Sequence, residues 1–417
     1  MIKRRKNRSN GGLLLVSLLF FLNVNVSTAD MRLSDSFGSD TSLISQNYTL
    51  HDPIIITNDS ELATVAVNGT GVANDPYILA NWNITGSPTH GIYINGTTKY
   101  FRIENCWIVS SNIHGICVYN VPSGTTNIIN NTCNGNADSG IGLYFSVFSI
   151  IANNTCNRNN EAGVYLWDCD GSILTNNICN NNKMNGVGLY GSGSSTLVNN
   201  TCHCNSWVGI YLSGSGFSIL VNNTCSSNGI FGISLYICSF STLVNNTCRY
   251  NNGDAIILRS SGFSILVNNT CNSNGRSGFY LEFSDNNTIV WNTILNNGYY
   301  GVSLNLFSEN NIIHHNCFIA NGQEESQAID DGWNNQWYDQ TVLEGNSWFD
   351  YSGTDSYLIA GSAEANDLYP SRASGIDTIS SLTPEYADEL FLLVRLFLFV
   401  FVFSILFFFV RRHNNSI

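Results

Sequence analysis

The stretch STLVNNTCHCN, residues Ser195–Asn205, contains the motif that decides how this chain folds. Its centre, NNTC at 199–202, combines a glycosylation sequon with a cysteine and recurs along the middle of the sequence. One series of cysteines repeats every 23 residues: Cys133, Cys156, Cys179, Cys202, Cys225, Cys248 and Cys271. Two more steps of 23 reach Ile294 and Cys317, which gives eight ungapped units from Asn134 to Cys317. A fixed period of this length indicates a repeat architecture.

Two further columns emerge when the units are aligned. A leucine occupies one position in all eight units: Leu143, Leu166, Leu189, Leu212, Leu235, Leu258, Leu281 and Leu304. An asparagine occupies another: Asn136, Asn159, Asn182, Asn205, Asn228, Asn251, Asn274 and Asn297. A glycine stands three residues before the leucine in every unit but one, where Ala255 replaces it. Glycine and asparagine tolerate the left-handed backbone of tight corners, and stacked asparagine amides hydrogen-bond to one another as a ladder.

Each unit contains short stretches in which inward and outward residues alternate, such as GIYL at 209–212 and STLV at 195–198. Alternation with a period of two predicts strands, and no helical periodicity runs through the repeats. We therefore expect an all-β solenoid, a parallel β-helix with 23-residue coils over residues 76–319. Because open solenoid ends expose unpaired strand edges, we expect caps at 30–75 and 320–370.

Both ends of the chain carry targeting features. Residues 1–29 combine a basic start, an apolar run and small residues before the cleavage point, as a secretory signal peptide does. Leu390–Val410 is an apolar run of 21 residues, long enough at about 1.5 Å per residue to cross a membrane as one helix. It follows a polar stalk at 371–389, and the basic tail at 411–417 indicates the cytoplasmic side. The sequence predicts a single-pass cell-membrane protein with an extracellular or periplasmic ectodomain; replacement of the helix by another anchor stays open.

The cysteine column has three interpretations. Thiols that face the core behave as small apolar side chains. Disulfides are open as well, since adjacent coils bring Cα atoms to about 4.8 Å, although parallel stacked side chains fit the disulfide torsion poorly. Metal ligation is the third interpretation. Ile294 occupies the same column and can serve in neither kind of bond, which favours the apolar core.

The repeats resemble right-handed parallel β-helix repeats of the pectate-lyase-like superfamily, and more narrowly the NosD-type family of periplasmic and surface proteins. GTGVANDPYILANWNI at Gly69–Ile84 resembles the opening motif of that family, and GNSWFDYSGTD at Gly345–Asp355 resembles its closing motif. The resemblance covers about residues 53–370 and implies a right-handed β-helix. It leaves function open, because lyases, hydrolases, adhesins and metal-delivery proteins share this fold.

The resemblance also raises the question of copper, since NosD-type proteins are linked to copper delivery for nitrous oxide reductase. Copper(I) prefers sites where Cys, Met and His converge. Two tight groups offer weak candidates: His203 with Cys204, and the pair His314 and His315 near Cys317. The alternative is a lone surface thiol and a solvated histidine pair. We predict no cofactor, with copper or calcium left open.

Catalysis on polysaccharides requires acidic calcium ligands with a basic group in lyases, or paired carboxylates in hydrolases. Asp138 and Glu161 share a column in successive coils, and Asp168 and Asp170 follow in the next strand region. No cluster in the aligned repeats combines three carboxylates with a nearby His, Lys or Arg. A solvated turn pair is the alternative interpretation of Asp138 and Glu161. Arg259 and Glu282 also share a column, where an ion pair between coils explains them.

The outer face offers two further sets of residues. Aromatic side chains flank the leucine column and are expected to form a flat platform for sugar rings, or to stabilise the sheet: Tyr144, Tyr165, Trp167, Tyr190, Tyr211, Tyr236 and Tyr280. The repeated sequons predict a glycoprotein if the host glycosylates secreted chains: Asn130, Asn153, Asn199, Asn222, Asn245 and Asn268.

The overall charge of the chain argues against one class of partner. The chain has 17 Lys and Arg against 30 Asp and Glu, with a net charge of −13, so a nucleic-acid partner is not expected. We predict a monomeric, membrane-anchored cell-surface β-helix that binds polysaccharides or other envelope glycans through its outer faces without catalysis. A polysaccharide lyase or hydrolase and a copper-handling protein of the NosD type are the alternatives.

Overall fold

The computed structural model describes residues 48–322 and 326–373. Within them the chain is a parallel β-solenoid, as predicted, in which each coil passes in turn through three sheets, here called sheet 1, sheet 2 and sheet 3. The predicted signal peptide, the transmembrane segment at 390–410 and the cytoplasmic tail lie outside the described residues. None of the helices in the described part of the chain has the length and apolar character needed to span a bilayer.

Sheet 1 contains the GIYL-type strands and has twelve of them. Its strands are Ile54–Ile56, Ile92–Asn95, Ile116–Tyr119, Ile141–Tyr144, Val164–Trp167, Val187–Tyr190, Ile210–Ser213, Ile233–Tyr236, Ile256–Arg259, Phe279–Glu282, Val302–Leu304 and Ala328–Asp330. Neighbouring strands pair in parallel with a register of one repeat, so that Leu189 lies beside Leu212. The predicted ion pair also forms here, with Arg259 Nε 2.6 Å from Glu282 Oε2.

Sheet 2 contains the STLV-type strands and has eleven of them. They are Tyr77–Ala80, Phe101–Glu104, Thr126–Ile129, Ile150–Ala152, Ile173–Thr175, Thr196–Val198, Ile219–Val221, Thr242–Val244, Ile265–Val267, Thr288–Val290 and Ile312–His314.

Sheet 3 contains the cysteine strands in two runs. The first run is Thr49–Leu50, Trp82–Thr85, Trp107–Val109 and Thr132–Asn134; the second is Thr201–His203, Thr224–Ser226, Thr247–Arg249, Thr270–Asn272, Thr293–Leu295, Cys317–Ile319, Ser347–Trp348 and Ser371–Arg372. Single bridges from Thr132 through Thr155 and Ile178 to Thr201 join the two runs into one face.

Two small elements interrupt the solenoid pattern. The helix Asp59–Val65 begins after Asn58, whose side chain accepts a hydrogen bond from the backbone N–H of Glu61, and it buries Leu62. Near the other end, Tyr357–Leu358 pairs antiparallel with Asn366–Asp367. These elements lie inside 30–75 and 320–370, the regions predicted to form caps.

The alternation of side chains produces one continuous core. Ile210, Leu212, Leu197 and Cys202 all point inward and have no exposed surface. Full burial of one such aliphatic side chain contributes about 1.5–3 kcal/mol. The stacking of identical columns therefore supplies each coil with the same favourable contribution.

The cysteine column faces this core, as the Ile294 substitution predicted. All seven cysteines of the column are fully buried thiols, and Cys271 lies beside Ile294 in sheet 3. Burial raises the pKa of the Cys225 and Cys271 thiols, which keeps them neutral. The column thus behaves as a row of small apolar side chains.

The prediction that Cys317 continues this column is wrong. The strand pairing places Phe318 beside Ile294, and Cys317 lies beside Thr293 and is only partly buried. Leu281 still pairs with Leu304, 23 residues away, whereas the next columns are spaced by 24. One extra residue in the turn after Leu304 shifts the last coils by one position.

Two ladders of buried asparagines run along the corners. Ladder 1, at the corner between sheets 3 and 1, is the predicted column Asn136–Asn297 extended to Asn321, with amide-to-amide distances of 2.8–3.1 Å. Ladder 2, at the corner between sheets 2 and 3, contains the second asparagine of the six NNTC motifs and the equivalent asparagines of four other coils: Asn131, Asn154, Asn177, Asn200, Asn223, Asn246, Asn269, Asn292, Asn316 and Asn346. Corner peptide groups leave the sheets and need other partners, which these amides provide.

The ladder should be sensitive to the loss of a single amide. In Asn228→Ala, the carbonyl of Cys202 and the Oδ1 of Asn251 lose a donor, and Asn205 loses its acceptor. Each unpaired buried group costs about 1–3 kcal/mol, so we expect the free energy of unfolding to fall by about 2–5 kcal/mol in chemical denaturation. Asn252→Ala changes an exposed asparagine of the same corner and should stay within about 0.5 kcal/mol of wild type. Equal stabilities of the two variants would contradict the role of the ladder.

Candidate functional site

A continuous row of rings lies on the outer face of sheet 1 and is here called the ring row. Its members follow one another over six successive coils: Tyr93, His90, His114, Tyr144, Tyr165, Tyr190 and Tyr211. Successive ring centroids are 5.1–5.8 Å apart. This is the longest chain of ring contacts found within the described residues.

The tyrosines form a single row because two outward columns alternate. Tyr165 and Tyr211 come from the second position of their strands, whereas Tyr144 and Tyr190 come from the fourth. The fourth-position rings lean over glycines at the second position: a Cβ on Gly188 would lie 3.1 Å from the ring of Tyr190. Alternate glycines therefore make room for the interleaved rings.

His114 connects the ring row to an acidic corner. Its Nε2 is 3.0 Å from the hydroxyl of Tyr144, and its Nδ1 is 3.3 Å from Asp138 Oδ1 and from the backbone nitrogen of Ser139. The side chain is 5% exposed. Burial lowers the pKa of His114, and burial raises the pKa of Tyr144. Both groups are therefore neutral at pH 7, and the imidazole holds the tyrosine in place.

The predicted catalytic residues lie in two separate places. Asp138 and Glu161 lie together at the start of their strands, where burial and then the charge of Asp138 raise the pKa of Glu161. Asp168 and Asp170 lie beyond the other end of Val164–Trp167, a strand about 13 Å long. His114, which the sequence analysis did not place here, contacts Asp138, so one histidine accompanies the pair Asp138 and Glu161.

Sequence reasoning missed Tyr93, His90 and His114. Each histidine directly precedes the glycine of a GIYL-type strand, at Gly91 and Gly115, so the two occupy one column. The coils there are spaced by 24 and 25 residues rather than 23, which removed them from the ungapped alignment. The shared position before the glycine was the signal that could have revealed them.

Only some of the aromatic residues predicted to bind sugars belong to the ring row. Tyr144, Tyr165, Tyr190 and Tyr211 belong to the ring row, and Trp167 stacks beside Tyr190 at 6.0 Å. Tyr236 and Tyr280 lie in later coils of sheet 1, outside the row. The expected flat platform does not form, because successive rings of the row are inclined by 19–60° and pack against one another.

A buried acceptor lies next to the row. Asn185 is 3% exposed, and its Nδ2 is 3.4 Å from the hydroxyl of Tyr190. Its Oδ1 finds no hydrogen-bond partner among the described residues. A buried carbonyl oxygen without a donor is costly. Because this oxygen has almost no accessible surface, a ligand would reach it only after the side chain moves.

The sequon asparagines occupy the corner between sheets 2 and 3. All six have positive φ angles of 53–58°, as expected for a left-handed corner residue. Asn130, Asn153, Asn199 and Asn222 are exposed. Asn268 instead donates a hydrogen bond of 2.8 Å to Asn245, and both are half-buried. Glycosylation stays a prediction, with the first four sites the more accessible.

The two candidate metal groups differ in their surroundings. On sheet 3, His203 Nε2 lies 3.0 Å from the sulfur of Cys204. The pair His314 and His315 is half-buried rather than fully solvated and lies close to Asp339 and Glu344. Burial, followed by the neighbouring His315, lowers the pKa of His314 to about 4, so this imidazole is neutral at pH 7.

Comparison with protein families gives two matches. The model for right-handed β-helix regions matches residues 63–224, and the model for the periplasmic copper-binding protein NosD matches residues 192–353. None of the curated proteins matches the sequence.

Among solved structures, two A-modules of mannuronan C-5 epimerases from Azotobacter vinelandii are similar to the chain. AlgE4 gives a TM-score of 0.52 at 14% identity, covering 79% of this chain and 97% of that module. AlgE6 gives the same score and identity, covering 76% and 98%. At this identity the likeness establishes a shared fold.

His90 should make stability depend on pH. Burial, followed by the nearby His114, lowers its pKa to about 4, although Asp138 acts in the opposite direction. The unfolded state, with a histidine pKa of about 6.5, then binds more protons between pH 6.5 and 4. The stability that this site contributes is present above pH 6.5 and is lost as the pH falls towards 4. Thermal unfolding of His90→Gln should therefore change less between pH 7 and 4.5 than wild type.

Tyr93→Phe is the matched control, because it keeps a ring against His90 and should retain the wild-type pH dependence. A His90→Gln variant that is as sensitive to acid as wild type would show that this histidine does not titrate as described.

Proposed function

This chain is a right-handed β-helix repeat protein of the NosD and pectate-lyase-like type, and on that premise we propose that it binds a neutral polysaccharide along the ring row without cleaving it. The observation that carries the proposal is the continuity of the row over six coils at centroid spacings of 5.1–5.8 Å. Such spacings are close to the length of one pyranose unit, so successive sugars of an extended chain can meet successive rings.

Polar groups along the row suit sugar hydroxyls. The tyrosines are half-buried, and each presents a hydroxyl group together with the part of its ring that the neighbouring rings leave uncovered. A mixed polar and apolar surface of this kind suits sugar rings. Two solved structures with this fold are named as epimerases of mannuronan, an anionic polysaccharide, so they support a polysaccharide as the class of ligand but not the charge of that ligand.

The charge of the surface favours a neutral ligand. Asp138 and Glu161 flank the row, and the chain carries a net charge of −13. An anionic polymer would meet these carboxylates at close range and lose binding energy by repulsion. A neutral glycan avoids this cost and can still accept hydrogen bonds from the tyrosines.

The state of His114 favours binding over catalysis. A general acid or base needs a pKa near the working pH and a free position that faces the substrate. Both nitrogens of His114 face protein groups, and the raised pKa of Tyr144 keeps its hydroxyl protonated. The contacts of His114 therefore position Tyr144 within the row.

A polysaccharide lyase or hydrolase is the second candidate. The observation in its favour is the contact chain from Asp138 through His114 to Tyr144, with Glu161 one coil away. For His114 to act as an acid or base on a sugar chain bound over Tyr144, its contact with the Tyr144 hydroxyl would first have to break. Turnover that is lost in Asp138→Ala and Glu161→Ala would establish this candidate in place of the first.

We further propose a place at the cell surface. The basic and apolar start at 1–29 and the apolar run at 390–410 support export followed by anchoring through a single helix. Protease added to intact cells should then degrade the solenoid and leave a membrane-bound C-terminal fragment. Full protection in intact cells, with digestion only after lysis, would contradict this topology.

Binding is tested with an array of neutral and anionic glycans, followed by titration of the best ligand. Tyr165→Ala and Tyr190→Ala remove central rings and should each weaken binding about 10-fold, which corresponds to about 1.4 kcal/mol. Tyr236→Ala removes a more exposed tyrosine ring from sheet 1 outside the row and should bind as wild type does.

The controls separate the candidate functions. Binding without product release supports the proposed function, and release of shorter or unsaturated chains supports the enzyme. Equal losses in Tyr236→Ala and Tyr190→Ala would show that the row is not the binding surface, as would the absence of any neutral ligand.

A further inference from the structure

Three metal-binding side chains converge at the end of sheet 2, far along the rod from the ring row. His314 ends the strand Ile312–His314, His315 follows at the corner, and Asp339 comes from the next, longer coil. One ligand atom from each lies within 4.8 Å of the other two. We propose that these residues bind one divalent transition-metal ion of the class that prefers imidazole, such as Zn²⁺ or Cu²⁺.

His315 is oriented as a metal-binding histidine is. Its Nε2 lies 2.8 Å from the carboxylate of Glu344, and its ring stacks on Trp291 at 4.2 Å. A proton on Nε2 that is donated to Glu344 leaves Nδ1 with a lone pair. A carboxylate behind the imidazole in this manner fixes the tautomer and strengthens the ligand.

The two histidines face each other through their Nδ1 atoms. Nδ1 of His314 lies 2.5 Å from Nδ1 of His315. Two lone pairs at this distance repel each other unless a proton or a cation lies between them. A metal ion bound to both nitrogens resolves the repulsion and uses the lone pair that Glu344 leaves on His315.

Asp339 presents one carboxylate oxygen to this pair. Its Oδ1 accepts hydrogen bonds from the backbone N–H and the hydroxyl of Thr341, at 2.7 and 2.6 Å. The backbone of Asp339 is also tied to Glu344 by hydrogen bonds in a local turn. The carboxylate is therefore held in one orientation, with one oxygen within 4.8 Å of a ligand nitrogen of each histidine.

The distances fit a metal ion after small side-chain movements. Tetrahedral coordination with bonds of about 2.0–2.1 Å places ligand atoms about 3.3 Å apart. The two imidazole nitrogens need to separate by less than about 1 Å, and the Asp339 oxygen needs to approach by no more than about 1.5 Å. Rotation about side-chain torsions supplies both changes, so the strands need not move.

A cavity of about 290 Å³ lies in the same region, although none of the three ligands lines it. Its lining includes Ile312, Tyr338 and Gln340, which are sequence neighbours of the ligands, together with several asparagines. Two imidazoles and one carboxylate leave at least one position of a tetrahedral ion for water or another ligand. An ion with three protein ligands and an open position is the arrangement of reactive rather than purely structural sites.

The choice of ion follows from the donors. Imidazole suits Zn²⁺, Cu²⁺ and Ni²⁺, whereas Ca²⁺ and Mg²⁺ prefer oxygen ligands alone. His203 with Cys204 supplies only two donors. In the part of the chain that the structure describes, no second group of three His, Cys, Asp or Glu side chains meets the same spacing.

The test uses the full-length protein without a histidine tag, stripped with a chelator and dialysed. Equilibrium dialysis with Zn²⁺ or Cu²⁺, read by elemental analysis, should give one equivalent for wild type and none for Ca²⁺ or Mg²⁺. His315→Gln and Asp339→Asn should each weaken binding at least about 10-fold, and Glu344→Gln about 10- to 100-fold through the orientation of His315. Electron paramagnetic resonance of the Cu²⁺ form should show two imidazole nitrogens in wild type and one in His315→Gln.

His203→Gln is the matched control and should bind as wild type does. Asp339 is on the surface turn, so Asp339→Asn keeps the fold, which thermal unfolding of the metal-free variants verifies. The proposal is overturned if wild type binds less than one equivalent, if His315→Gln and Asp339→Asn bind normally, or if His203→Gln alone abolishes binding. In those cases the histidine pair shares a proton or the ion binds at Cys204. Glycan binding is measured separately, so either result leaves the ring row proposal untouched.

Discussion

The structure depends on amide hydrogen bonds that run in one direction along the corners. Each asparagine of the two ladders donates its backbone N–H and its Nδ2 to the Oδ1 of the asparagine one coil later. Such a chain of donors needs a final acceptor that has no further need to donate. Ladder 2 ends on the carboxylate of Asp367, and ladder 1 ends on Gln327, whose own amide donates to Asp350. A third series at the remaining corner ends on Asp330. The C-terminal coils therefore cover the end of the solenoid. They also supply the aspartates that accept the last hydrogen bonds of each series.

Most residues of each coil belong to the ladders or to the apolar columns, and the fold requires them. The outward positions are the ones that can vary. On sheet 1 the variation has a pattern, because glycines at 142 and 188 alternate with tyrosines at 165 and 211 in one column. That alternation lets rings from two columns merge into one row, which a uniform column of tyrosines would not allow. The rigid periodic scaffold thus sets the spacing of the row, while the choice of small and large residues sets its shape.

The sequence allowed the scaffold to be predicted because its columns recur with few exceptions. Ile294 within the cysteine column identified the core, and the asparagine column identified the ladder, since each environment was sampled many times in one chain. The functional candidates were harder to predict because they occur once and lie where the period changes. His90 and His114 fall in coils of irregular length, and the shift after Leu304 moved Cys317 out of the core. Asp339 had no aligned counterpart, since its coil is longer than the others.

The changes of period have a physical consequence for function. Coils of 23 residues stack with every side chain above its equivalent, so buried neighbours in a column are alike, and unlike neighbours such as Arg259 and Glu282 occur at outward positions. In a longer coil, the additional residues have no equivalents in the neighbouring coils, so they can bring a different side chain next to a column. The spacing from Asn316 to Asn346 is 30 residues, and the additional residues form the turn that brings Asp339 and Glu344 against His314 and His315. Likewise, the irregular coils at the other end bring His114 under Tyr144 and beside Asp138. The combinations of imidazole and carboxylate at His114 with Asp138 and at the pair His314 and His315 with Asp339 therefore arise where the coil length changes, at the two ends of the regular solenoid.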